Sequence, residues 1–378
     1  MTVELIATTT FGLEAVVKRE LQDLGFEGLT VADGKVSFPA ELADLPRANL
    51  WLRSAERVLL KVGEFKALTF DELFEKTKAL PWGRWIPPEG KFPVNGKSVK
   101  SKLFSISDCQ AIVKKAVVES LKHRHSLEWF PETGPEFTIQ VALLRDTATL
   151  TLDTSGEGLH KRGYRREAGE APLKETLAAA LVQLSYWKKD RLLVDPFCGS
   201  GTIPIEAALM GKNIAPGLNR SFASEDWPAV GRDIWKKARV EAFKAIDNQT
   251  PIKILASDID PAVLETAREN AAEAGVEDCV EYSVKPMEKL KLPGEYGVVI
   301  TNPPYGQRIG SKKELSTLYR EMGKIFASDP TWSVYVLTAD EGFEKYYGAR
   351  AHRKRKLYNG NIKVDYYQYY GRRPPKSS

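Results

Sequence analysis

The stretch LLVDPFCGSGTIPIEAALM, residues 192–210, decides the fold class of the C-terminal part of this chain. Its apolar beginning predicts a strand over Leu192–Asp195, and its apolar end predicts a helix over Ile203–Met210 that starts directly after the turn. Gly199 and Gly201 let the backbone of that turn approach a ligand, and the first N–H groups of the helix are free to bind one. Two glycines also suit a tight structural turn, so the pair alone leaves both interpretations open.

Strands alternate with helices throughout the chain after residue 155. The further predicted strands are Lys253–Asp258, Val280–Val284, Gly297–Thr301 and Ser333–Thr338, with an antiparallel pair near Arg353–Tyr358 and Ile362–Tyr370. This alternation is typical of a doubly wound parallel sheet, so an α/β, Rossmann-like domain is predicted over residues 156–378. Ligands bind such sheets at the carboxyl ends of the strands, which is where the glycine turn falls.

The first 155 residues predict two smaller α+β units, over 1–65 and 66–155. The first unit contains a strand over residues 2–7, a helix over Gly12–Leu24, a hairpin around Asp33-Gly34, a helix near Leu42–Leu52 and a strand near Arg57–Phe65. The second contains a helix over Thr69–Leu80, a strand at Lys91–Val94, a basic turn over Gly96–Lys102, a helix over Ser107–His123 and strands over Phe137–Leu144 and Thr147–Asp153. Alternating apolar residues and turn dipeptides carry these predictions.

An acidic residue ends the second strand of the Rossmann-like domain. Asp258 in Ser257-Asp258-Ile259-Asp260-Pro261 can accept hydrogen bonds from both hydroxyls of a ribose. It lies well beyond the ~20 residues usual after a glycine turn. An insertion over 212–250 accounts for the gap; it is either an inert excursion or a lid, and Asn219, Arg220, Ser221 and Trp227 favour a lid.

The tetrapeptide Asn302-Pro303-Pro304-Tyr305 follows the fourth strand and is the most informative motif. A rigid loop could use the same residues, but this one lies beside the glycine turn at the carboxyl edge of the sheet. Such a motif suits a reaction at the exocyclic amine of a nucleic-acid base. That amine is a poor nucleophile because its lone pair is delocalised into the ring. The Asn302 side-chain oxygen and the Pro303 carbonyl can each accept one of its N–H bonds, while Tyr305 stacks on a base taken out of its helix.

Charge and cysteine content define the partners and the compartment. The net charge is only +5, but basic residues are clustered. The clusters are Lys97, Lys100 and Lys102; Lys114 and Lys115; Lys122–His125; Lys161–Arg166; His352–Lys356; and Arg372 with Arg373. Each could be a solvated face, but six of them favour a polyanion partner.

Three scattered cysteines predict neither disulfide nor metal site, and without a targeting or membrane-spanning pattern we expect a cytoplasmic protein.

Asp195–Thr202 resembles motif I of the class I methyltransferases that use S-adenosylmethionine, and Asn302–Tyr305 resembles motif IV of methyltransferases that act on base amines. The whole chain is similar to the bacterial THUMP-domain RNA methyltransferases, specifically stand-alone relatives of the RlmL-type enzyme that methylates guanine in large-subunit ribosomal RNA, a group once described as adenine-specific DNA methylases. Residues 94–116, 159–181 and 355–362 also carry the likeness.

This resemblance implies a ferredoxin-like domain over 1–65, an RNA-binding THUMP domain over 66–155 and a methyltransferase domain over 156–378. It implies S-adenosylmethionine as cofactor, no metal, and methylation of guanine N2 during ribosomal RNA processing. The implied cofactor residues are Asp195, Phe197, Gly199, Ser200, Gly201, Thr202, Asp258, Ile259 and Asn302. His160, Lys161, Arg162, Gly163 and Tyr164 are implied to border the pocket, with Leu173 and Thr176 packing near it. The implied RNA contacts are Lys97, Lys100, Lys102, Lys114, Lys115, Arg165, Lys356 and Asn359, with 356–361 near the target base. The acid that contacts adenine in related enzymes has no counterpart in 283–288, where Met287 could form an apolar wall.

Two other functions share part of this pattern. An adenine-specific DNA methyltransferase would carry both motifs, but the basic α+β half of the chain favours recognition of RNA shape through phosphates. A non-catalytic RNA-binding assembly factor would not need Asp258 and Asn302–Tyr305 together. An RNA methyltransferase is therefore the predicted function.

Overall fold

Two seven-stranded sheets form the framework of the described residues 1–165, 173–304 and 312–373 in this computed structural model. Contacts divide the chain into two compact units. The first comprises Met1–Thr9, Lys18–Leu159 and Ser221–Glu241, and the second comprises Thr10–Val17, His160–Arg220 and Ala242 onward. Each unit thus takes in a short segment from the part of the sequence that mainly builds the other.

The first sheet has the strand order β2-β3-β1-β4-β7-β6-β5. Its strands are β1 (Thr2–Thr8), β2 (Thr30–Ala32), β3 (Lys35–Glu41), β4 (Arg57–Lys66), β5 (Val94–Val99), β6 (Ile139–Leu144) and β7 (Thr147–Asp153). The helices of this part of the sequence are α1 (Glu14–Asp23), α2 (Leu45–Trp51), α3 (Phe70–Lys78) and α4 (Ile106–His125). Strand β4 pairs with both β1 and β7, so the two predicted α+β units share one continuous sheet.

The predicted basic turn over Gly96–Lys102 is wrong in its first half. Residues 94–99 form edge strand β5, which pairs in parallel with β6, and the turn begins only at Lys100 with φ of +50°. The strand predicted at Lys91–Val94 therefore lies too early. An edge strand exposes alternate residues, here Asn95, Lys97 and Val99, and this polar alternation resembles a loop in the sequence.

The segment Ser221–Glu241 is built into the core of the first unit. The Trp227 side chain is 1% exposed, stacks on Phe137 at 4.7 Å between ring centroids and donates from Nε1 to the Glu136 carbonyl. Trp235 stacks on Phe222 at 4.9 Å. Trp227 is therefore a core residue, and the lid favoured for this part of the insertion is wrong.

The second sheet has the order β10-β9-β8-β11-β12-β14-β13, parallel from β10 to β12 and antiparallel at β14 and β13. Its strands are β8 (Leu193–Asp195), β9 (Ile254–Asp258), β10 (Val280–Val284), β11 (Val298–Thr301), β12 (Ser333–Thr338), β13 (Arg353–Asn359) and β14 (Ile362–Tyr369). The helices are α5 (Glu175–Leu184), α6 (Thr202–Gly211), α7 (Arg232–Lys244), α8 (Pro261–Glu273), α9 (Lys312–Phe326) and α10 (Phe343–Tyr347). This confirms the predicted Rossmann-like α/β fold, and the strand order reverses between β8 and β11, where such sheets bind ligands.

The centre of the second sheet is buried and apolar except where its two middle strands end, at Asp195 and Thr301. Strands β8 and β11 carry a run of buried residues, as expected for parallel strands covered on both faces. Leu13 and Val16, from the N-terminal segment of this unit, join the same core. Among the described residues, no helix is long and apolar enough to cross a membrane, and no cluster of three or more acidic, histidine or cysteine side chains could hold a metal ion.

Candidate active site

The turn between β8 and α6 admits only glycine at Gly201. This residue has φ of +84°, a conformation that costs other residues energy, and it precedes the first residue of α6. A Cβ at Gly201 would lie 3.0 Å from the Tyr282 hydroxyl and 3.2 Å from Ala267 Cβ. Gly199 has φ of +52° but open space around it. One glycine is thus fixed by packing, and the other leaves room beside the backbone.

Hydrogen bonds from neighbouring elements hold this turn in place. The Asp258 carboxylate accepts from the Gly199 N–H at 3.0 Å and from the Asp260 N–H at 3.2 Å. Asn270 on α8 donates to the Ser200 carbonyl at 3.1 Å, although it is only 2% exposed. The sequence analysis missed Asn270, whose only signal is a polar residue on the buried face of a helix. The turn is therefore anchored from both β9 and α8.

A buried hydrogen bond joins the glycine turn to the strand that precedes the Asn302–Tyr305 motif. Asp195, which is 1% exposed at the end of β8, accepts from Thr301 Oγ1 at 2.7 Å and from the Phe197 N–H at 3.2 Å. Thr301 ends β11 and directly precedes Asn302. Its role as a link between the two motifs was not predicted, because a threonine at a strand end is ordinary in sequence.

Three buried polar atoms at this edge of the sheet have no hydrogen-bond partner in the described part of the chain. They are the second carboxylate oxygen of Asp195, the side-chain oxygen of Asn302 and the hydroxyl of Tyr282. Burial raises the pKa of Asp195 to about 7 and raises that of Tyr282 far above its usual range. Buried polar groups in proteins are normally paired, so this set fits a polar ligand that carries both donors and positive charge.

Exposed apolar residues follow the neighbouring strands. Ile259, directly after β9, is 71% exposed, and Val284 at the end of β10 is 55% exposed. Val284 is in register with Asp258, so the two apolar side chains lie beside the same acid. They could cover one face of an aromatic ring. Met287 is buried in the core at 4% exposure, so the apolar wall that the sequence suggested there is wrong.

Among residues 160–164, predicted to border the cofactor pocket, Arg162 and Tyr164 are buried in the protein interior, whereas Lys161 and Gly163 are exposed. Arg162 pairs with Glu206 on α6, and both side chains are at most 3% exposed. The Tyr164 hydroxyl donates to the same carboxylate at 3.2 Å. Gly163 has φ of +100°, and a Cβ there would lie 2.4 Å from the Asn219 carbonyl oxygen. His160 is half-buried. Arg162 and Tyr164 therefore brace the middle of α6 through Glu206.

Arg165 is also turned inward. Its guanidinium donates to Thr202 Oγ1 and to the Leu173 carbonyl, and it pairs with Glu175 at 3.4 Å. The buried Thr176 lies on the same helix as Glu175. Because Nη2 donates to two internal oxygens and the guanidinium pairs with Glu175, we do not propose Arg165 as an RNA contact.

The other predicted RNA contacts differ in their surroundings. Lys97, Lys100, Lys102, Lys115 and Lys356 are exposed. Lys114 pairs with Glu132 at 2.7 Å and lies 3.5 Å from the Phe92 ring centroid, whereas Asn359 is only 8% exposed. Tyr305, predicted to stack on the target base, lies outside the described residues.

Comparison with known proteins agrees with this architecture. Three family models match the chain: an RlmL ferredoxin-like domain over residues 4–59, a THUMP domain over 67–153, and an RMKL-like methyltransferase domain over 162–368. The solved structure of SMU.472 complexed with SAH is 46% identical, with a TM-score of 0.93 over 99% of both chains. A structure from Listeria monocytogenes, described as a "predicted N6-adenine-specific DNA methylase", is 51% identical, with a TM-score of 0.94 over 98% of this chain and 97% of that one.

Two curated relatives are similar along most of the sequence. "Putative RNA methyltransferase YpsC" of Bacillus subtilis is 54% identical over 98% of this chain and 97% of its own length. "Ribosomal RNA large subunit methyltransferase K/L" of Psychromonas ingrahamii is 36% identical over 94% of this chain, which spans only 48% of that protein.

The fold and the site define a class I methyltransferase whose cofactor is S-adenosylmethionine. Within that class, the chain belongs to the RMKL-like methyltransferase family and carries that family's ferredoxin-like and THUMP domains.

Proposed function

We propose that this protein transfers a methyl group from S-adenosylmethionine to the exocyclic amine of a base in RNA, and that the base is guanine, methylated at N2 in large-subunit ribosomal RNA. One observation carries the proposal: the Asn302 side-chain oxygen is a buried acceptor without a partner among the described residues, and its strand is tied to the glycine turn. A buried acceptor in this position needs a donor, and a base amine supplies one.

The chemistry of the acceptor follows from the substrate. S-adenosylmethionine supplies an electrophilic methyl group on a cationic sulfur. The Asn302 oxygen and the Pro303 carbonyl would accept the two amine N–H bonds, which orients the nitrogen lone pair toward that methyl group. Pro303 and Pro304 restrict the backbone on which the acceptors sit. Tyr305 would stack on the extruded base.

The cofactor is proposed to lie along the edge from β8 to β10. Asp258 retains free acceptor capacity beyond its two backbone partners and would bind the ribose hydroxyls. Ile259 would cover the adenine ring, and the backbone of Phe197, Gly199, Ser200, Gly201 and Thr202 would follow the rest of the molecule. Asp195 would face its cationic end. We place His160, Arg162, Gly163 and Tyr164 as supports of this pocket.

Names of relatives and the domain content support RNA as the substrate. The YpsC relative is named a putative RNA methyltransferase and the K/L relative a ribosomal RNA methyltransferase. The Listeria relative is named a DNA methylase. We favour RNA because a THUMP domain occupies residues 67–153.

We also propose domain limits of 1–65, 66–155 and 156–378 and a cytoplasmic location. The proposed RNA contacts are Lys97, Lys100, Lys102, Lys114, Lys115, Lys356 and Asn359.

Labelled methyl transfer tests the proposed function. Purified protein is incubated with S-adenosylmethionine and either total RNA or genomic DNA from a strain that lacks the protein, and nucleosides are identified by mass spectrometry. We expect N2-methylguanosine in ribosomal RNA and none in DNA. Methyladenine in DNA would support the DNA methylase instead, and no transfer to either would favour a non-catalytic RNA-binding factor.

The pH dependence of cofactor binding tests the role of Asp195. Its pKa, raised to about 7 by burial, lies above the 3.8 of an ordinary Asp, so its contribution to stability is full at low pH and is lost as the pH rises through 7. A cationic ligand reverses the preference, because it stabilises the ionised carboxylate. We therefore expect cofactor affinity, measured by calorimetry, to rise roughly tenfold from pH 6 to pH 8.

Asp195→Asn is the control for this experiment, because the amino group of the cofactor titrates equally with both proteins. The difference between the two pH profiles isolates the carboxylate. Identical profiles for the two proteins would show that Asp195 does not face the charged end of the cofactor.

A further inference from the structure

An exposed aromatic residue stands in the loop between β5 and α4. Phe104 is 81% exposed, whereas its neighbour Leu103 is 5% exposed. Among the large apolar side chains of the described residues, Phe104 has the highest exposed fraction, ahead of Trp129 at 74%. We call residues 100–105 the Phe104 loop.

Hydrogen bonds fix this loop rather than leaving it free to fold inward. The Ser98 hydroxyl donates to the Leu103 carbonyl at 2.7 Å. The Lys102 N–H donates to the Asp146 carboxylate at 2.7 Å, and the Asp146 N–H donates to the Ser101 hydroxyl at 3.0 Å. The buried Leu103 anchors the chain before Phe104, and helix α4 begins two residues after Phe104, at Ile106. The exposure of the ring is therefore set by the fixed backbone around it.

Cations surround the Phe104 loop. Lys100 and Lys102 lie within it, Lys97 points outward from the adjoining strand, and Arg145 is tied to the same strand through its N–H bond to the Val99 carbonyl at 3.2 Å. All four side chains are exposed. Within residues 1–165, 173–304 and 312–373, no carboxylate forms an ion pair with any of them, although Lys102 lies in electrostatic reach of Glu72. The acids closest in sequence are Asp146, held by the Lys102 N–H, and the exposed Asp108.

The apolar surface beside the ring is small. Val99 and Leu144, which are paired across β5 and β6, are each 50% exposed, and Ile106 is 43% exposed. Four unpaired cations around an apolar surface disfavour a dry protein interface, because their desolvation would be costly. They suit a ligand with flat apolar rings joined by negative charges, which describes an unpaired nucleic acid strand.

We propose that Phe104 is a stacking platform for an unpaired base of the RNA substrate, with the flanking phosphates bound by Lys97, Lys100, Lys102 and Arg145. This proposal rests on the proposed RNA substrate. It adds the place where the RNA binds and the unpaired state of the bound strand. The bases of a duplex are stacked on one another and do not offer their faces, so the strand at this site is single-stranded.

Binding of a fluorescent single-stranded oligoribonucleotide, followed by anisotropy, tests the platform. Phe104→Ala should weaken binding about 5- to 100-fold, the usual cost of losing one stacked base, while Phe104→Trp should bind at least as well as the parent protein. Phe104→Leu should resemble Phe104→Ala, because it keeps an apolar side chain but no ring. A blunt RNA duplex should respond much less to all three changes.

Trp129→Ala is the matched control. Trp129 is an exposed aromatic residue, at 74%, just beyond the other end of α4, whose 20 residues span about 30 Å. Its loss should leave binding unchanged.

Several outcomes separate this inference from the proposed function. Binding equal to that of the parent protein, by either Phe104→Ala or Phe104→Leu, would overturn the platform while leaving the RNA methyltransferase intact. A concentration-dependent dimer that Phe104→Ala abolishes in sedimentation would assign the surface to self-association instead. If the parent protein neither binds nor methylates RNA, the proposed function itself fails.

Discussion

Replacing Asn302 with alanine is expected to lower the rate of methyl transfer by about 10²–10³-fold, the usual effect of removing one preorganised polar group from a reaction centre. The side-chain oxygen is buried and lacks a partner in the described part of the chain, so its place is prepared before the substrate arrives. Because the proposed contact is with the base amine, cofactor affinity should change little. Single-turnover transfer and cofactor calorimetry measure the two quantities separately.

Asp258→Ala is the counterpart of this experiment. Its carboxylate holds the Gly199 N–H and is proposed to bind the ribose, so its loss should weaken cofactor binding and lower transfer mainly through that weakening. Saturating cofactor should restore much of the rate in Asp258→Ala and none of it in Asn302→Ala. Equal losses of cofactor affinity in the two variants would contradict the proposed division of roles.

Replacing Glu206 with alanine should destabilise the second unit by about 3–5 kcal/mol, the cost of removing one partner of a buried ion pair. Arg162 approaches this carboxylate at 3.3 and 3.4 Å, and the Tyr164 hydroxyl reaches it at 3.2 Å. Glu206 is 0% exposed, so its loss leaves the guanidinium in a low-dielectric interior without this carboxylate. Urea unfolding followed by circular dichroism measures the change.

An exposed pair on α9 is the control for Glu206→Ala. Lys324 and Glu321 lie 2.7 Å apart with 71% and 33% of their side chains exposed. Glu321→Ala should change the free energy of unfolding by less than about 0.5–1 kcal/mol, because solvent screens such pairs. A loss below 1 kcal/mol for Glu206→Ala would mean that Arg162 finds another partner or reaches water.

The motifs predicted the principal residues of the candidate site but not their supports. Gly201 and Asp258 stand in short sequences whose composition is informative by itself. Thr301, Asn270 and Tyr282 are unremarkable in sequence, and each matters through a contact with the glycine turn or with Asp195. Arg162 and Arg165 belong to a basic run that suggested a pocket wall and an RNA contact, yet their partners, Glu206 and Glu175, turn them inward.

Local pattern by itself determined every strand except β5, the helices α1 to α4 and α6, and the position of both motifs at strand ends. These features depend on residues a few positions apart, so apolar periodicity and turn residues suffice to specify them. Local pattern placed β5 wrongly, because an edge strand with one solvated face has a polar sequence that resembles a loop.

Only the tertiary structure decided which segments share a core. Residues 10–17 supply Leu13 and Val16 to the second unit, while Trp227, from the middle of the methyltransferase sequence, stacks on Phe137 in the first. An apolar side chain gains nearly the same free energy in any well-packed core, so its hydrophobicity specifies burial but not a partner. Shape and backbone hydrogen bonds choose that partner, and these arise only when residues far apart in the chain meet.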